Sequence, residues 1–205
     1  MNTQQLAQEL LRLDPIILDT ETTGIDNDDQ VIELAAINVY GQTLINTLVK
    51  ATKESHPAAL KTHGISKTTT DKLGRDWADV LADLNALYDC HPMAAYSEAF
   101  DTRLISQTCT AFQTEQPLAT TKIDIMELVN RHFIDHVLWD NEKSCFKRLS
   151  LARACEIAGI QYQGQAHRAI VDCHATLDLL KFMAFGKNEN ASNDDQHNLE
   201  LEAEA

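Results

Sequence analysis

The stretch IILDTET, residues 16–22, decides the fold. It begins with an apolar, β-branched run, which is typical of a strand buried inside a covered sheet. Asp19 and Glu21 then follow one residue apart, and residues i and i+2 of a strand project to the same face. Two desolvated carboxylates repel each other unless one is protonated or a cation lies between them. Because hard divalent ions prefer oxygen ligands, we expect the strand to stop at a metal site, with a solvated strand end as the alternative.

The residues around this stretch alternate between strand and helix patterns. Gly41-Gln42 is a short connection, so the strands on either side of it are expected to form an antiparallel hairpin. We therefore predict an α/β fold with a mixed central sheet of about five strands flanked by helices. Residues 50–76 are polar and predicted to be irregular. The predicted strands cover 16–20, 31–40, 43–49, 93–96 and 121–125, and the helices 4–13, 77–88, 100–112, 149–158 and 169–185.

Length and charge fit one domain followed by a tail. We predict an N-terminal helix over 1–14, a folded domain over 15–186, and a disordered acidic tail over 187–205 that has too little apolar surface to pack. The formal charge of −14 argues against nucleic-acid binding, which normally draws on Lys and Arg. The tail holds one lysine and six acids, so −9 remains on residues 1–186. Cations held by some of those acids would lower the effective charge further.

The cysteines and the N-terminus indicate the compartment. Five scattered cysteines without a CxxC pair favour reduced thiols over a disulfide framework or a cysteine–zinc site. The N-terminus lacks the basic and long apolar segments of a signal peptide, and no apolar run is long enough to span a bilayer. We therefore expect a cytoplasmic protein with no membrane partner.

Two further acids lie in suggestive segments. Asp101 follows a short apolar strand in AAYSEAFDTRLI (94–105), at the start of a helix. Asp172 lies five residues after His167 in AHRAIVDCHATLDLL (166–180). Taken singly, Asp101 fits a helix cap, and a lone histidine is more often structural than catalytic. Together, and in this order, the three acidic segments favour a shared site.

The combined pattern resembles a known family. LDTETTG (18–24), AYSEAFD (95–101) and HRAIVDCHAT (167–176) are similar to the three motifs of the DEDDh, or DnaQ-like, 3′→5′ exonucleases. HGIS (63–66) matches a further feature of that family, and the resemblance spans about residues 15–185. It implies a ribonuclease H-like fold with a two-metal active site. The site residues that it implies are Asp19, Glu21, Asp101 and Asp172 as ligands of two Mg²⁺ or Mn²⁺ ions, and His167.

The resemblance also implies roles for other side chains. His167 would take a proton from the attacking water, a role that suits an imidazole because it normally titrates near pH ~6.5. Thr20, Thr22 and His63 would contact the terminal nucleotide, with a turn or loop packing as the alternative. Ser97 stands where Asn is common in the family, so a substrate contact there is altered.

The implied substrate is nucleic acid with a free 3′ end, single-stranded or frayed. DNA is the first choice, and the products would be nucleoside 5′-monophosphates. The motifs do not separate DNA from RNA, so an RNase T-like RNA exonuclease stays open. So do a proofreading subunit with a polymerase or sliding-clamp partner, and a non-catalytic nucleic-acid-binding module.

Overall fold

A five-stranded mixed sheet forms the centre of the protein. The computed structural model describes residues 1–117, 121–140, 145–162 and 164–186. The strand order is β3-β2-β1-β4-β5, in which β1 runs antiparallel to β2 and parallel to β4, and β4 runs parallel to β5. The carboxyl ends of β1, β4 and β5 therefore lie at one edge of the sheet. These strands are β1 (Ile16–Thr22), β2 (Val31–Ile37), β3 (Thr43–Leu48), β4 (Met93–Ala95) and β5 (Lys122–Asp124).

Helices cover both faces of this sheet, as the sequence predicts. One face packs its apolar side chains against α1, α6, α7 and α8, and the other packs against α4 and α5. Ile17 points to the first face, whereas Ile16 and Leu18 point to the second, so β1 is buried on both sides. The helices are α1 (Thr3–Arg12), α2 (Pro57–His63), α3 (Lys67–Leu73), α4 (Trp77–Tyr88), α5 (Glu98–Phe112), α6 (Ile125–His132), α7 (Leu151–Ala158) and α8 (Ala169–Phe185).

The first and last described helices pack together. Ala7 of α1 is fully buried in the same core as α8, and the side-chain amides of Gln4 and Gln8 both donate to the carbonyl of Ala184. The bounds of α8 match the predicted 169–185, and Gly159 ends α7 in the left-handed conformation, φ 72°, where glycine carries no steric cost. None of the described helices is long and apolar enough to cross a membrane.

Three predictions of local structure were wrong. Strand β1 continues beyond the predicted end at Thr20 and runs through Glu21 to Thr22, because its main chain keeps pairing with β2 whatever the side chains are. Residues 50–76 contain two short helices instead of irregular chain: Pro57 starts α2 at a position suited to proline, and the Ser66 hydroxyl caps α3. Residues 126–148, which carried no predicted element, hold α6, a short 3₁₀ turn (Ile134–His136) and a hairpin of β6 (Trp139–Asp140) and β7 (Cys145–Phe146). The predicted disordered tail lies outside the described residues.

Candidate active site

The carboxylates of β1 lie at the carboxyl end of the central strand. Asp19 pairs with Ala35 across the ladder and Glu21 pairs with Glu33, and the register shifts at Thr22. Both acids are half-buried. They continue the row of side chains that begins with Ile17, so they face the side of the sheet covered by α8. The prediction that both carboxylates share one face of the strand agrees with this register.

The third carboxylate, Asp101, comes from the first turn of α5. It is buried, and the hydroxyl of Thr20 donates to its Oδ1 at 2.8 Å. Thr20 points to the α5 side of β1, so this hydrogen bond ties the strand end to the helix. Ser97 precedes the helix as its N-cap, and its hydroxyl makes no capping hydrogen bond.

Asp172 and His167 lie on the segment that leads into α8. Asp172 is in the first turn of the helix and is buried, and its Oδ1 has no hydrogen-bond partner among the described residues. His167 is exposed and has φ +62°, a conformation that non-glycine residues adopt only when the surroundings hold it. Glu21, His167 and Asp172 each offer a ligand atom, and these atoms lie within 4.8 Å of one another. The structure thus brings together all five residues that the sequence singled out.

Glu33 is a site residue that the sequence interpretation missed. It lies opposite Glu21 on β2 with 1% of its surface exposed. The guanidinium of Arg168 donates to both of its oxygens, with Nε 3.0 and 3.1 Å away, and the backbone N–H of Ala169 donates to Oε2 at 3.0 Å. The pair holds the start of α8, with His167 next to it, against the sheet. A glutamate inside the otherwise apolar strand VIELAAI was the available signal.

The electrostatics of this cluster call for a cation. Burial, followed by repulsion from Asp172, raises the pKa of Glu21 to about 8. Burial raises the pKa of Asp101 to about 7, although the hydrogen bond from Thr20 lowers it. Burial likewise raises the pKa of Asp172 to about 6, although the interaction with His167 lowers it. Burial and the three other acids raise the pKa of Asp19 well above its usual range. Arg168, the nearby cation, is already engaged by Glu33.

The residues present fit divalent metal. The oxygens of Asp19, Glu21, Asp101 and Asp172 are the ligand type that Mg²⁺ and Mn²⁺ prefer. The buried Oδ1 of Asp172 has no hydrogen-bond partner in the described part of the chain, so a metal ion could bind it without breaking a hydrogen bond. Binding would release the protons that the raised pKa values retain at neutral pH.

A pocket opens beside Glu21. Its volume is about 420 Å³, within the roughly 300–1,000 Å³ typical of small-ligand sites. Thr20, Thr22 and His63 line it, together with Phe100 and the α2 helix, whereas Ser97 is not among its lining residues. Contact of these side chains with a terminal nucleotide stays a prediction. The Thr22 hydroxyl donates to the carbonyl of Gly24.

His63 is held by the main chain on both ring nitrogens. Its Nδ1 accepts from the backbone N–H of Ile65 at 2.9 Å, so Nε2 carries the hydrogen that meets the carbonyl of Thr22 at 3.2 Å. Burial lowers its pKa, which favours this neutral form. His63 therefore presents its ring carbons to the pocket and joins α2 to the end of β1.

A second cluster of two acids and one histidine lies at the rim of the pocket. Ligand atoms of Asp26, Asp29 and His56 also lie within 4.8 Å of one another. Asp29 accepts from the Thr23 hydroxyl and from the Asp26 N–H, both at 2.7 Å, and pairs with Lys53 at 3.0 Å. Burial opposes its ionisation, yet these donors hold its pKa below the usual value.

Comparison with other proteins identifies the family. The sequence profile of the exonuclease family of the RNase T type matches residues 16–180. An exonuclease of Escherichia phage 186, CP81, described as uncharacterized, is 30% identical over 188 residues, which is 89% of this chain and 94% of that one. Protein pSLT049 of Salmonella typhimurium LT2 is 43% identical over 54 residues, 26% of this chain and 39% of that one.

Solved structures of exonuclease I from E. coli share the fold. The complex with a dT13 oligonucleotide has a TM-score of 0.66 at 17% identity, covering 83% of this chain and 40% of that one. The complex with dA16 has a TM-score of 0.63 at 18% identity, covering 81% of this chain and 40% of that one. This chain thus spans about two fifths of exonuclease I. The profile match over most of the sequence confirms the resemblance drawn from the motifs: the chain is a nuclease that belongs to the DnaQ-like, RNase T-type exonuclease family and has its ribonuclease H-like fold.

Proposed function

We propose that this nuclease is a metal-dependent 3′→5′ exonuclease that removes nucleoside 5′-monophosphates from single-stranded or frayed DNA ends. The observation that carries the proposal is the cluster of four carboxylates with raised pKa values, one of which has a buried oxygen without a partner. The cluster adjoins a pocket with room for one nucleotide. A site of that kind attracts a cation and places a terminal phosphodiester next to it.

The acids would hold two divalent ions, Mg²⁺ or Mn²⁺. Such ions polarise the phosphate and stabilise both the attacking and the leaving oxygen. By the family resemblance, the Asp19 carboxylate would contact both ions. Its charge interacts with those of Asp101, Asp172 and Glu21, which supports that assignment. A zinc-bound complex of exonuclease I with single-stranded DNA, similar in fold at a TM-score of 0.64, is consistent with cation binding by this fold.

His167 would act as the general base. Its ring atoms lie within 4.8 Å of ligand atoms of Glu21 and Asp172, and the residue is exposed enough for water to reach it. The imidazole would take the proton of the attacking water and later pass it to solvent. Glu33 and Arg168 hold the adjacent main chain, so the base keeps its place while the substrate moves.

The pocket would take the 3′-terminal nucleotide. Phe100, Ala58 and Ala59 give it an apolar wall for the base or sugar, and Glu21 stands at its inner side next to the cluster. The 3′ direction follows the family resemblance. The oligonucleotides in the exonuclease I structures are DNA, which favours DNA here; RNA remains the alternative substrate. The polymerase or sliding-clamp partner stays a prediction without support from the relatives, as does the cytoplasmic location.

The decisive experiment follows end-labelled substrates. A single-stranded DNA 20-mer carrying a 5′ label should shorten from its 3′ end with Mg²⁺, release monophosphates, and stay intact in excess EDTA. A matched RNA 20-mer measures the preference between the two nucleic acids. Asp79→Asn, at an exposed acid of α4 on the other face of the sheet, serves as the control for Asp19→Asn. Cutting of a closed circular strand, or full activity in EDTA, would contradict the proposal.

A further inference from the structure

A small hairpin exposes an aromatic pair. We define the aromatic hairpin as β6 and β7 with the flanking residues Leu138 and Lys147, whose main chains are joined by a 2.7 Å hydrogen bond. The rings of Trp139 and Phe146 meet edge to face, 5.0 Å between centroids, yet 51% and 56% of these residues stay exposed. An isolated two-stranded hairpin is marginal in water, so exposing two aromatic residues on it is costly unless they bind something.

The hairpin rises from the edge of the sheet that carries the active site. The chain that leaves it is anchored at Leu149, whose carbonyl accepts from the Tyr96 hydroxyl at 2.9 Å. Tyr96 follows β4, and Arg148 acts electrostatically on Asp124 at the end of β5. Because β1, β4 and β5 are parallel, these ends lie at the same edge as Asp19.

Cationic side chains lie beside the aromatic pair. Lys147 and Arg148 are exposed there, and Arg131 is exposed on the helix before it. The described part of the segment also carries Asp135 and, on β6, Asp140, so the two cations that follow Phe146 are the ones placed to meet a phosphate. Aromatic faces next to cationic side chains are the combination that binds single-stranded nucleic acid, since bases stack on the rings and phosphates meet the charges.

We propose that the aromatic hairpin is a second binding site for the nucleic-acid strand, on which a base upstream of the terminal nucleotide stacks against Trp139 or Phe146. The inference deepens the proposed function and rests on it for the identity of the ligand. The pocket beside Glu21 binds the end to be cut, whereas the hairpin binds the strand that remains. Long strands should consequently bind more tightly than dinucleotides, which reach only the pocket.

Fluorescence tests the stacking without any turnover. The protein has two tryptophans, and Trp77 is 1% exposed, so a bound strand can contact only Trp139. In excess EDTA, addition of a dT 16-mer should quench part of the emission in a saturable way. The Trp139→Phe variant should lose that quenching. Inorganic polyphosphate, which has charge but no bases, should quench little. Equal quenching of wild type and Trp139→Phe would overturn the proposal.

Kinetics with two substrate lengths give the second readout. Trp139→Ala combined with Phe146→Ala should raise KM for a 20-mer by about tenfold, the order of effect of one lost stacking interaction, and leave kcat unchanged. KM for a dinucleotide should change less than about twofold. Tyr40→Ala is the matched control, because Tyr40 is 78% exposed in the β2–β3 turn at the opposite edge of the sheet.

The two outcomes separate this inference from the proposed function. An unchanged KM for the 20-mer in the double variant, with an active enzyme, would overturn the hairpin site alone. Absence of hydrolysis by the wild type, with intact Trp139-dependent quenching, would overturn the proposed reaction and leave the binding site standing.

Discussion

Two clusters in this protein have the same residue types and opposite electrostatics. The first contains Glu21, Asp172 and His167, and the second contains Asp26, Asp29 and His56. In the first, burial raises the pKa of the acids, and one buried oxygen, Oδ1 of Asp172, has no partner among the described residues. In the second, Asp29 is also buried, but it accepts hydrogen bonds and pairs with Lys53, and these donors lower its pKa.

The difference shows that buried carboxylates without a cationic partner, more than the residue types alone, indicate a cation site. The second cluster already has its cation in the form of Lys53, and it packs so tightly on the loop after β1 that a Cβ on Gly24 would come within 2.4 Å of Asp29. Its role is to fix that loop at the pocket rim. In the first cluster the nearby Arg168 pairs with Glu33, so it does not neutralise the other carboxylates.

The largest expected effect is on catalysis by the first cluster. Asp19→Asn should lower kcat by at least about 10³-fold, since metal-bound catalysis contributes several kcal/mol and each 1.4 kcal/mol is tenfold. Asp26→Asn should keep kcat within about twofold of wild type, because we expect it to hold no catalytic ion, and any effect should fall on KM because Asp26 lines the pocket. Steady-state rates on a DNA 20-mer with Mg²⁺ measure both. Equal losses in the two variants would remove the distinction between the clusters.

The second largest effect concerns the histidines: substitution of His167 should lower the rate much more than substitution of His56. His167→Ala should lose roughly 10²-fold in rate as the general base is removed, while Mn²⁺ binding measured by calorimetry persists. His56→Ala should keep most of kcat, because its ring lines the pocket and lies 3.5 Å or more from the carboxylates of Asp26 and Asp29, so the main effect should fall on KM. Loss of Mn²⁺ binding in His167→Ala would make that residue a ligand instead of a base.

The Glu33–Arg168 pair offers a smaller effect with a specific signature. Glu33→Gln should lower kcat by roughly tenfold with little change in KM, because it loosens His167 and Asp172 without touching the pocket. Arg168→Lys should fall between Glu33→Gln and wild type, since a lysine cannot match the two-pronged contact of the guanidinium. If KM rises instead while kcat holds, the pair acts on substrate binding.

The smallest effects concern stability in EDTA, and they should have opposite signs. Because the acids of the first cluster have folded pKa values above their unfolded values of roughly 4, their contribution favours folding below about pH 4. That contribution is lost as pH rises through about 6 for Asp172, 7 for Asp101 and 8 for Glu21. At pH 8, Glu21→Gln should therefore raise Tm by a few degrees, as should added Mn²⁺ with the wild type.

Asp29→Asn should lower Tm by a few degrees at the same pH. It removes the charge of a buried carboxylate that pairs with the partly exposed Lys53, and about 1 kcal/mol corresponds to roughly 2–4 °C in a domain of this size. Thermal unfolding followed by circular dichroism at pH 5 and pH 8 measures both variants. A common sign of the shift at pH 8 would show that the clusters are electrostatically alike.

The sequence predicted the elements whose signals are local. The sheet and the last helix were accessible because apolar periodicity is visible in single segments. The five polar residues came from the likeness of three segments to the motifs of a known family, since each of them taken singly also fits an ordinary structural role. The Glu33–Arg168 pair was not accessible, because its partners lie far apart in sequence: Glu33 stands out in an apolar strand, but nothing near it in sequence names Arg168 as its partner. The helices within 50–76 were missed for a different reason: they are short, and their starts depend on Pro57 at the first helical position of α2 and on the Ser66 cap of α3.

The placement of α8 has a consequence for biosynthesis. Asp19 and Glu21 are made early, yet Asp172 and the arginine that supports its helix come some 150 residues later and dock directly on β1 and β2. A nascent chain on the ribosome consequently lacks a quarter of its carboxylates until α8 has emerged. We expect such fragments, including chains cut off by premature stop codons before Arg168, to be inert toward the nucleic acids that surround translation.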